Sequence, residues 1–446
     1  MPYPLFDDSL SALITTLRDL AGDDFVQAGT VLRDASGRLS FVANREPVSE
    51  EERATLGDAL IAQLGEYARK DRPIAFRGDM GADPVLISDE RIPFEVNGAF
   101  YNLLDRRIVG AGWLDAPSSI RPSPPRMVFA TLKGGVGRST ALTVAAADFA
   151  RRGRNILVID LDLEAPGLGD LLLEGDRVPE LGAIDYLVEN GLDRIPDSAL
   201  NAFVGTSGLT DPQGGRVDVL PALGRRSMRA PENILPKLSR AMIEDIVDGK
   251  VVSVATQISD MITRITEREA YDAVFIDSRA GLAELAASTL LGLGATVLLF
   301  GTAQKQTVEG YRALFAALKL LAQRDVSLGR DTEWRTKLRP VYAKAGLNPE
   351  VTQRYLDDMY DLFSEHIYDE EVEGTDDDAE ALRFARDDSA APHWPLIVPF
   401  SQNFIDFDPS RLPDQLTESF YDQAYRNFLD GLATELGWGK TIGSGT

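Results

Sequence analysis

The chain has 446 residues, of which 46 are basic and 70 acidic, so its formal charge is -24. This length leaves ample material for a buried core and favours two or three domains, and a composition of 44% hydrophobic and 26% charged residues indicates a globular protein. The acidity argues against a general binder of the nucleic-acid phosphate backbone, and the absence of cysteine excludes disulfides, thiolate metal sites, iron–sulfur clusters and cysteine nucleophiles.

The first part of the chain predicts a mixture of helices and strands. Residues 5–22 place apolar side chains at helical spacing, and residues 25–44 give two β-rich runs around Asp34–Gly37, which is typical of a hairpin. A long amphipathic helix is expected over about Ser49–Lys70, where Ser49 and Glu52 fit a capping box. These elements predict a small α+β domain.

The clearest domain boundary is a proline-rich stretch. Four prolines fall within the nine positions 117–125, which therefore cannot hold a helix or a central strand. We expect residues 116–126 to form an extended linker, the alternative being an irregular loop inside one domain. Residues 1–115, before it, show no catalytic constellation, and we interpret them as an accessory domain for interaction.

After the linker, apolar β-rich runs alternate with helical stretches. Runs that are apolar throughout are expected where helices cover both faces of a sheet. The pattern predicts a doubly wound, mostly parallel α/β domain over residues 127–446. Its candidate strands are Met127–Thr131, Ile156–Asp160, Val217–Leu220, Ala273–Ile276, Ala295–Phe300, Leu338–Ala343 and Leu396–Val398.

One segment of this domain is strongly acidic. Residues 351–390 contain 14 acidic and 3 basic side chains, and they carry a charge of -11 out of the total of -24. We interpret them as an acidic, solvated helical insertion or a mobile loop, with a docking surface for a basic partner as the alternative. The two histidines, His366 and His393, cannot by themselves build a zinc site of the usual kind, and we expect them to be solvated or in loops.

The first candidate strand runs straight into a glycine-rich loop that a helix follows. Glycines let backbone N–H groups turn inward around a phosphate, and the helix N-terminus adds positive potential. A serine hydroxyl in the first helical turn is placed to coordinate Mg²⁺. The residues that we expect to bind the phosphates are Gly134, Gly135, Val136, Gly137, Arg138, Ser139 and Thr140.

The sequence KGGVGRST resembles the deviant Walker A motif, KGGxGK[ST], of the MinD/ParA family of ATPases. The resemblance implies that the loop binds ATP, that Lys133 reaches across a dimer interface to the other subunit's ATP, and that Ser139 is a magnesium ligand. Arg138 stands where the family has its second lysine. Because arginine is a bulkier planar fork, we expect it to neutralise β- and γ-phosphate charge while hydrolysis is slow or lost.

Two later segments resemble further motifs of the same family. Asp160 and Asp162 match the DxD segment at switch I, which implies that Asp162 orients the attacking water; a simple cap of the following turn is the alternative. Asp277 matches the Walker B aspartate that holds the magnesium shell, and the stretch to Gly281 matches switch II. Arg279 replaces the usual proline, and whether it is structural or acts at the phosphates or a partner stays open.

The base-binding side resembles the family less closely. Pro399 matches a proline that lies near the adenine. The base-contacting asparagine has no counterpart, because Ala343 and Lys344 occupy its place, and base specificity therefore stays open. Lys133, Arg138 and Asp162 are the expected catalytic residues, and Ser139 and Asp277 the expected metal ligands.

The expected function follows from this resemblance and from the charge. The family implies ATP and Mg²⁺ as cofactors and a homodimer that forms on ATP binding. The acidity argues against DNA, while the lack of a long apolar run, of a signal peptide and of a basic C-terminal helix argues against a membrane. We expect a cytoplasmic ATPase of slow turnover, a dimeric switch that recruits or regulates a protein partner. The alternative is a nucleotide-binding scaffold or adaptor with little hydrolysis, as part of a bacterial defence or signalling assembly.

Overall fold

The structure is a computed structural model that describes residues 4–208, 214–247, 250–369 and 381–439. These residues form two compact units. The N-terminal unit comprises the chain up to Asp115 together with Ala317–Thr332, and the C-terminal unit comprises Ala116–Ala316 and the chain from Glu333 onward. Among the described residues, no helix combines the length and apolarity needed to cross a membrane.

The N-terminal unit contains a five-stranded mixed sheet. Its strands are β1 (Thr30–Arg33), β2 (Leu39–Ala43), β3 (Ile74–Phe76), β4 (Ile92–Val96) and β5 (Ala99–Asp105), and its helices are α1 (Phe6–Ala21), α2 (Asp23–Ala28), α3 (Glu50–Leu64) and α4 (Ala82–Leu86). The strand order is β3-β2-β1-β5-β4. β1 and β2 pair in antiparallel fashion, with Thr30 opposite Val42, which confirms the predicted hairpin.

One predicted strand region of this unit is helical. The first β-rich run was expected to include residues 25–28, but α2 occupies them. Asp23 and Asp24 lie in the first turn of α2, where acidic side chains stabilise the partial positive charge of a helix N-terminus. The hydroxyl of Tyr101 also donates a hydrogen bond to Asp23 at 2.7 Å. Local charge and a tertiary contact therefore outweigh the β preference of the apolar residues.

Helix α3 begins as predicted and ends early. The Ser49 hydroxyl accepts a hydrogen bond from the backbone N–H of Glu52 at 3.1 Å. The Glu52 carboxylate accepts one from the N–H of Val48 at 2.7 Å, one residue before the position expected of a capping box. The helix stops at Leu64 because Gly65 has a φ of 58°, in the left-handed region that terminates helices.

The C-terminal unit is built on an eight-stranded sheet. Its strands are β6 (Arg126–Thr131), β7 (Ile156–Asp160), β8 (Gly205–Thr206), β9 (Val217–Leu220), β12 (Ala273–Asp277), β13 (Thr296–Gly301), β14 (Leu338–Ala345) and β15 (Leu396–Pro399), with a separate hairpin of β10 (Asp245–Val247) and β11 (Lys250–Val252). The order is β15-β14-β13-β6-β12-β7-β9-β8, and all neighbours are parallel except β8 and β9. All seven predicted strands lie in this sheet, which confirms the predicted fold class.

Helices cover the sheet and leave its carboxyl edge for the site. They are α5 (Arg138–Arg151), α6 (Leu168–Leu172), α7 (Ala183–Asn190), α8 (Arg225–Arg229), α9 (Ile234–Ala241), α10 (Val254–Thr266), α11 (Glu284–Leu291), α12 (Lys305–Ser327), α13 (Pro349–His366) and α14 (Glu418–Glu435). In the core, Phe129 of β6 packs against Phe275 and Phe300 of its two neighbouring strands. β7 and β13 lie on opposite sides of β6, so the order in which strands are added to the sheet reverses at β6. Such a switch point is where doubly wound sheets bind ligands.

The proline-rich stretch has neither helix nor strand over residues 116–125, all of which are described. It is nevertheless held by hydrogen bonds to the C-terminal unit. The N–H of Ser118 donates to the carbonyl of Leu291 at 2.7 Å, and Lys337 donates to the carbonyl of Ile120 at 3.3 Å. The stretch thus contacts that unit through backbone groups of Ser118 and Ile120, and its role as a linker stays a prediction.

Helix α12 contributes to both units. The sequence assigned it wholly to the second domain, whereas its residues from Ala317 onward belong to the N-terminal unit. Arg324, which is buried, pairs with Asp325 and donates a hydrogen bond to the carbonyl of Leu114 at 2.5 Å. A buried guanidinium needs such partners, and a continuous helical pattern gives no sign of where they lie.

The acidic segment is partly a packed helix. Helix α13 covers its first part, and Tyr355, Met359 and Phe363 on that helix are buried. Residues 370–380, which hold much of the charge, lie outside the described residues. His393 was expected to be solvated, but it is buried, and its Nδ1 lies 2.7 Å from the hydroxyl of Tyr368.

Candidate functional site at the carboxyl edge of the sheet

The glycine-rich loop joins β6 to α5, as the sequence predicted. Gly135 and Gly137 have φ angles of 77° and 94°, which side chains with a Cβ adopt only under strain. Gly137 is the N-cap of α5, so the first backbone N–H groups of this helix point into the loop. The loop can therefore offer backbone donors and a helix dipole to an anion.

Lys133 lies at the exposed end of this loop. Its ammonium group is 3.4 Å from the side-chain oxygen of Gln306, at the start of α12, and this contact is also exposed. The side chain is therefore accessible from solvent. Gln306 was not identified from the sequence, since a glutamine at a helix start carries no motif.

Asp160 holds the chain segment that follows β7. One carboxylate oxygen accepts a hydrogen bond from the N–H of Asp162 at 3.0 Å, and the other accepts from Gly167 and Leu168 at 3.2 and 3.1 Å. Burial, together with the nearby charge of Asp277, raises the pKa of Asp160 to about 7. The structure thus supports for Asp160 the capping role that the sequence left as an alternative.

Ser139 and Asp277 meet at the carboxyl edge of the sheet. Asp277 ends β12, in register with Asp160 of β7. The Ser139 hydroxyl, in the first turn of α5, donates a hydrogen bond to Asp277 Oδ2 at 2.6 Å. Burial raises the pKa of Asp277 to about 6, against the opposing effect of Arg138. The two predicted metal ligands are therefore adjacent.

Arg138 is turned into the protein. Its side chain is only 8% exposed, and it lies between the ends of β7 and β12. Nη2 donates to Asp162 Oδ2 at 2.9 Å, Nε forms an ion pair with Asp277, and Nη1 donates to the carbonyl of Ser278. Burial lowers the pKa of Arg138, but Asp277 and Asp162 outweigh it, so the pKa is raised. Phosphate contact by Arg138 stays a prediction.

Arg279 connects the two switch segments. One nitrogen lies 2.6 Å from the carboxylate of Glu164, and another lies 3.9 Å from Asp162. Asp162 is therefore flanked by two arginines. The role of Glu164 was missed, although an acidic side chain two positions after Asp162 could have suggested it. The carbonyl of Ser278 was also missed, because side-chain patterns do not reveal backbone acceptors.

The oxygen atoms at this edge suit Mg²⁺. Among the described residues, no group of three or more His, Cys, Asp or Glu side chains is arranged to hold a metal ion. Mg²⁺, however, commonly takes only one or two protein ligands and completes its shell with water and phosphate oxygens. Asp162 Oδ1 is buried and accepts no hydrogen bond from the described residues, whereas Asp277 Oδ1 forms an ion pair with Arg138. Ser139 and Asp277 thus fit a magnesium site by ligand chemistry.

A cavity of about 320 Å³ opens beside the loop. Its lining residues are Gly135, Val136, Gly137, Thr140, Phe300, Ala343, Lys344, Val398, Pro399, Phe400, Ser401, Phe404, Ile405 and Tyr425. A larger cavity, of about 530 Å³, is lined instead by the second half of α5, by α6 and by residues 410–418. We assign the smaller one to the site because loop glycines and Pro399 line it.

Lys344 closes one side of this cavity. It has a φ of 53° at an irregularity where β14 and β15 shift register. Its ammonium donates a hydrogen bond to the carbonyl of Gly135 at 2.6 Å. A lysine therefore lies where the sequence comparison expected an asparagine, and it contacts the loop.

Comparison with known proteins identifies the domain that carries this site. Residues 127–325 match the family model described as the CobQ/CobB/MinD/ParA nucleotide binding domain. This segment of the chain is therefore similar to the nucleotide-binding domain that the model describes. The matched span includes Lys133, Arg138, Ser139, Asp162 and Asp277, so the MinD/ParA-family motifs named from the sequence lie within it.

The solved structures that match the chain include proteins from three different organisms. MinD cell division protein from Aquifex aeolicus is 17% identical, with a TM-score of 0.40, and the match covers 70% of this chain and 97% of that one. The ATP complex of Cyanothece McdA is 15% identical (TM-score 0.41; 71% and 98%). Cobyrinic acid a,c-diamide synthase from Mycobacterium smegmatis, with bound ADP and magnesium, is 18% identical (TM-score 0.39; 72% and 99%). No curated protein matches the chain.

Proposed function

We propose that this protein, which carries a MinD/ParA-like nucleotide-binding domain, binds ATP with Mg²⁺, hydrolyses it slowly, and forms an ATP-dependent dimer that recruits or regulates a protein partner. The observation that carries the proposal is the 2.6 Å hydrogen bond between Ser139 and Asp277. It joins the helix of a phosphate-binding loop to the end of the Walker B strand. A magnesium–triphosphate site needs these two oxygen ligands side by side.

Each group of the site has a distinct task in this proposal. The N–H groups at the start of α5 bind phosphate oxygens. Ser139 and Asp277 hold Mg²⁺, which when bound stabilises charge on the phosphate oxygens. The carboxylate of Asp162 accepts a hydrogen bond from the attacking water and orients it. Lys344 braces the loop through the Gly135 carbonyl.

The proposed dimer rests on the exposure of Lys133. An exposed ammonium group whose contact is with an exposed glutamine can reach a phosphate of a facing subunit at little cost. Two copies would then complete each other's sites, and γ-phosphate would control their association. Dimerisation can then control a partner, provided that the surface of the dimer binds the partner with a different affinity from the surface of the monomer.

Light scattering after size-exclusion chromatography tests the proposal. The protein is measured without nucleotide, with ADP and with ATP–Mg²⁺, and phosphate release is followed in parallel. We expect a monomer in the first two states and a dimer with ATP–Mg²⁺, with slow phosphate release. Protein that neither binds ATP nor changes its mass with ATP–Mg²⁺ would contradict the proposal.

A second candidate function is a nucleotide-binding scaffold with little or no hydrolysis. It is favoured by the inward position of Arg138 and by Lys344 in place of an asparagine. Asp162→Ala separates the two functions. Turnover that this substitution abolishes, with ATP affinity retained, rules out the scaffold; absence of turnover in the unaltered protein supports it.

The partner is proposed to be a protein. Among the similar structures, Aquifex MinD occurs in a complex with MinC, and pNOB8 ParA is bound to nonspecific DNA. A charge of -24 disfavours DNA for this cytoplasmic chain.

We assign interaction to the N-terminal unit, where Ile108 and Val109 are exposed apolar residues. Replacing both residues with Asp in the full chain should abolish the ATP-dependent binding of a partner protein without changing the affinity for ATP. Unchanged partner binding would contradict this assignment.

A further inference from the structure

The cation at the centre of the carboxylate cluster is a side chain of the chain itself. Asp160, Asp162 and Asp277 are buried together at the ends of β7 and β12. Buried carboxylates need a compensating positive charge. Arg138 supplies it, since its guanidinium contacts both Asp162 and Asp277.

The contacts of Arg138 involve all three nitrogens of its side chain. Nη2 donates to the carboxylate of Asp162 and Nη1 to the carbonyl of Ser278, while Nε forms an ion pair with the carboxylate of Asp277. The other oxygen of Asp277 accepts the Ser139 hydroxyl. The oxygens that would hold Mg²⁺ are therefore already engaged within the protein.

Arginine can do this because of its shape. A guanidinium is a planar fork that reaches several acceptors at once, whereas a lysine ammonium is a single point charge. A lysine at position 138 could not span the carboxylates of Asp162 and Asp277 and the carbonyl of Ser278 in the same way. The departure from the family motif thus coincides with a contact pattern that only arginine can make.

We propose that Arg138 is an internal cation that takes the place of Mg²⁺ in the nucleotide-free protein. The free protein consequently does not bind a divalent ion, and Mg²⁺ enters only with nucleotide, whose phosphates offer the guanidinium new acceptors. This proposal rests on the assignment of Ser139 and Asp277 as metal ligands in the proposed function. It goes beyond that function by giving the arginine a role in the absence of nucleotide.

Titration with the metal alone tests this role, because no nucleotide is present. Binding of Mn²⁺ is measured by electron paramagnetic resonance, and Tm is measured with Mg²⁺ and with EDTA, for the unaltered protein and Arg138→Met. Methionine fills much of the volume without charge. We expect the unaltered protein to show no specific Mn²⁺ site, and Arg138→Met to bind Mn²⁺ at least roughly tenfold more tightly and to gain about 2–4 °C in Tm with Mg²⁺.

Two further variants keep the test decisive. Arg279→Met removes a guanidinium that also faces Asp162 but pairs most closely with Glu164, and it should behave as the unaltered protein. Arg138→Lys, which serves if Arg138→Met does not fold, should acquire an intermediate Mn²⁺ affinity. Equal Mn²⁺ binding by the unaltered protein and the Arg138 variants, or a site gained equally by Arg279→Met, would overturn the proposal. Neither result depends on ATP-driven dimerisation, so the two proposals can fail separately.

Discussion

The two ends of the phosphate loop carry cations in opposite surroundings. Lys133 is exposed, and its ammonium group lies 3.4 Å from the side-chain oxygen of Gln306, which is also exposed. Arg138 is buried and contacts two carboxylates and a carbonyl. One end of the loop thus presents a solvent-exposed cation, and the other end carries a cation that is buried in the fold. Substitutions of Lys133 and of Arg138 should therefore impair different properties of the protein.

Loss of the buried cation should have the largest effect on stability. Arg138→Ala leaves the buried Asp277 without its ion pair and Asp162 with only the more distant Arg279, and we expect it to lower the free energy of unfolding by about 3–5 kcal/mol. Urea unfolding at neutral pH measures the change. Arg279→Ala, at a more exposed ion pair, should cost about 1 kcal/mol or less. Equal losses in the two variants would contradict the distinction.

Removal of the neighbouring hydroxyl should have a smaller effect. Ser139→Ala deprives the buried Asp277 of one hydrogen bond, and we expect a loss of about 1–3 kcal/mol in the free energy of unfolding. Ser139→Thr keeps a hydroxyl and serves as the control in the same urea measurement. If the two variants are equally stable, the hydrogen bond to Asp277 does not contribute to the free energy of unfolding, and the prediction is contradicted.

The pH dependence of stability should reveal the buried Asp160. Its pKa is raised to about 7 in the folded protein, so the fold favours its protonated form. The stability that it contributes is present below about pH 4 and is lost as the pH rises through 7. The advantage of the unaltered protein over Asp160→Asn should narrow across this window, by at most about 1.4 kcal/mol per pH unit. Urea unfolding at several pH values measures this difference. If the free energies of unfolding of the two proteins change with pH in parallel, the prediction is contradicted.

Loss of the exposed cation should leave stability almost unchanged. Lys133→Ala removes no buried contact, and we expect the free energy of unfolding to change by less than about 0.5 kcal/mol. Lys70→Ala, at an exposed pair with Glu66 in the N-terminal unit, is the matched control. A loss comparable to that of Arg138→Ala would mean that both ends of the loop are structural.

The sheet could be predicted because its signal is local. Apolar runs bounded by helical segments predicted all seven strands, including Ile156–Asp160 and Val217–Leu220, whose bounds the structure reproduces. Parallel strands place their carboxyl ends at one edge, so Ser139, Asp162 and Asp277 could be grouped from sequence order and family resemblance.

The remaining features depend on contacts between distant parts of the chain. The inward turn of Arg138 needs the carbonyl of Ser278, which no residue pattern encodes. The end of α12 belongs to the N-terminal unit, where Arg324 donates a hydrogen bond to the carbonyl of Leu114, a residue distant in sequence. Helix α2 depends in part on Tyr101, far along the chain. In each case a tertiary contact decides what local propensity leaves open.

The most direct test of the dimeric switch measures ATP binding and dimerisation separately and compares how much Lys133→Ala weakens each. ATP–Mg²⁺ affinity of the monomer is measured at low protein concentration, and the ATP-dependent dimer is measured by light scattering, for the unaltered protein, Lys133→Ala and Lys70→Ala. We predict that Lys133→Ala weakens the dimer far more than it weakens ATP binding, while Lys70→Ala changes neither. Equal losses in ATP binding and dimerisation for Lys133→Ala would contradict a role for Lys133 across the subunit interface.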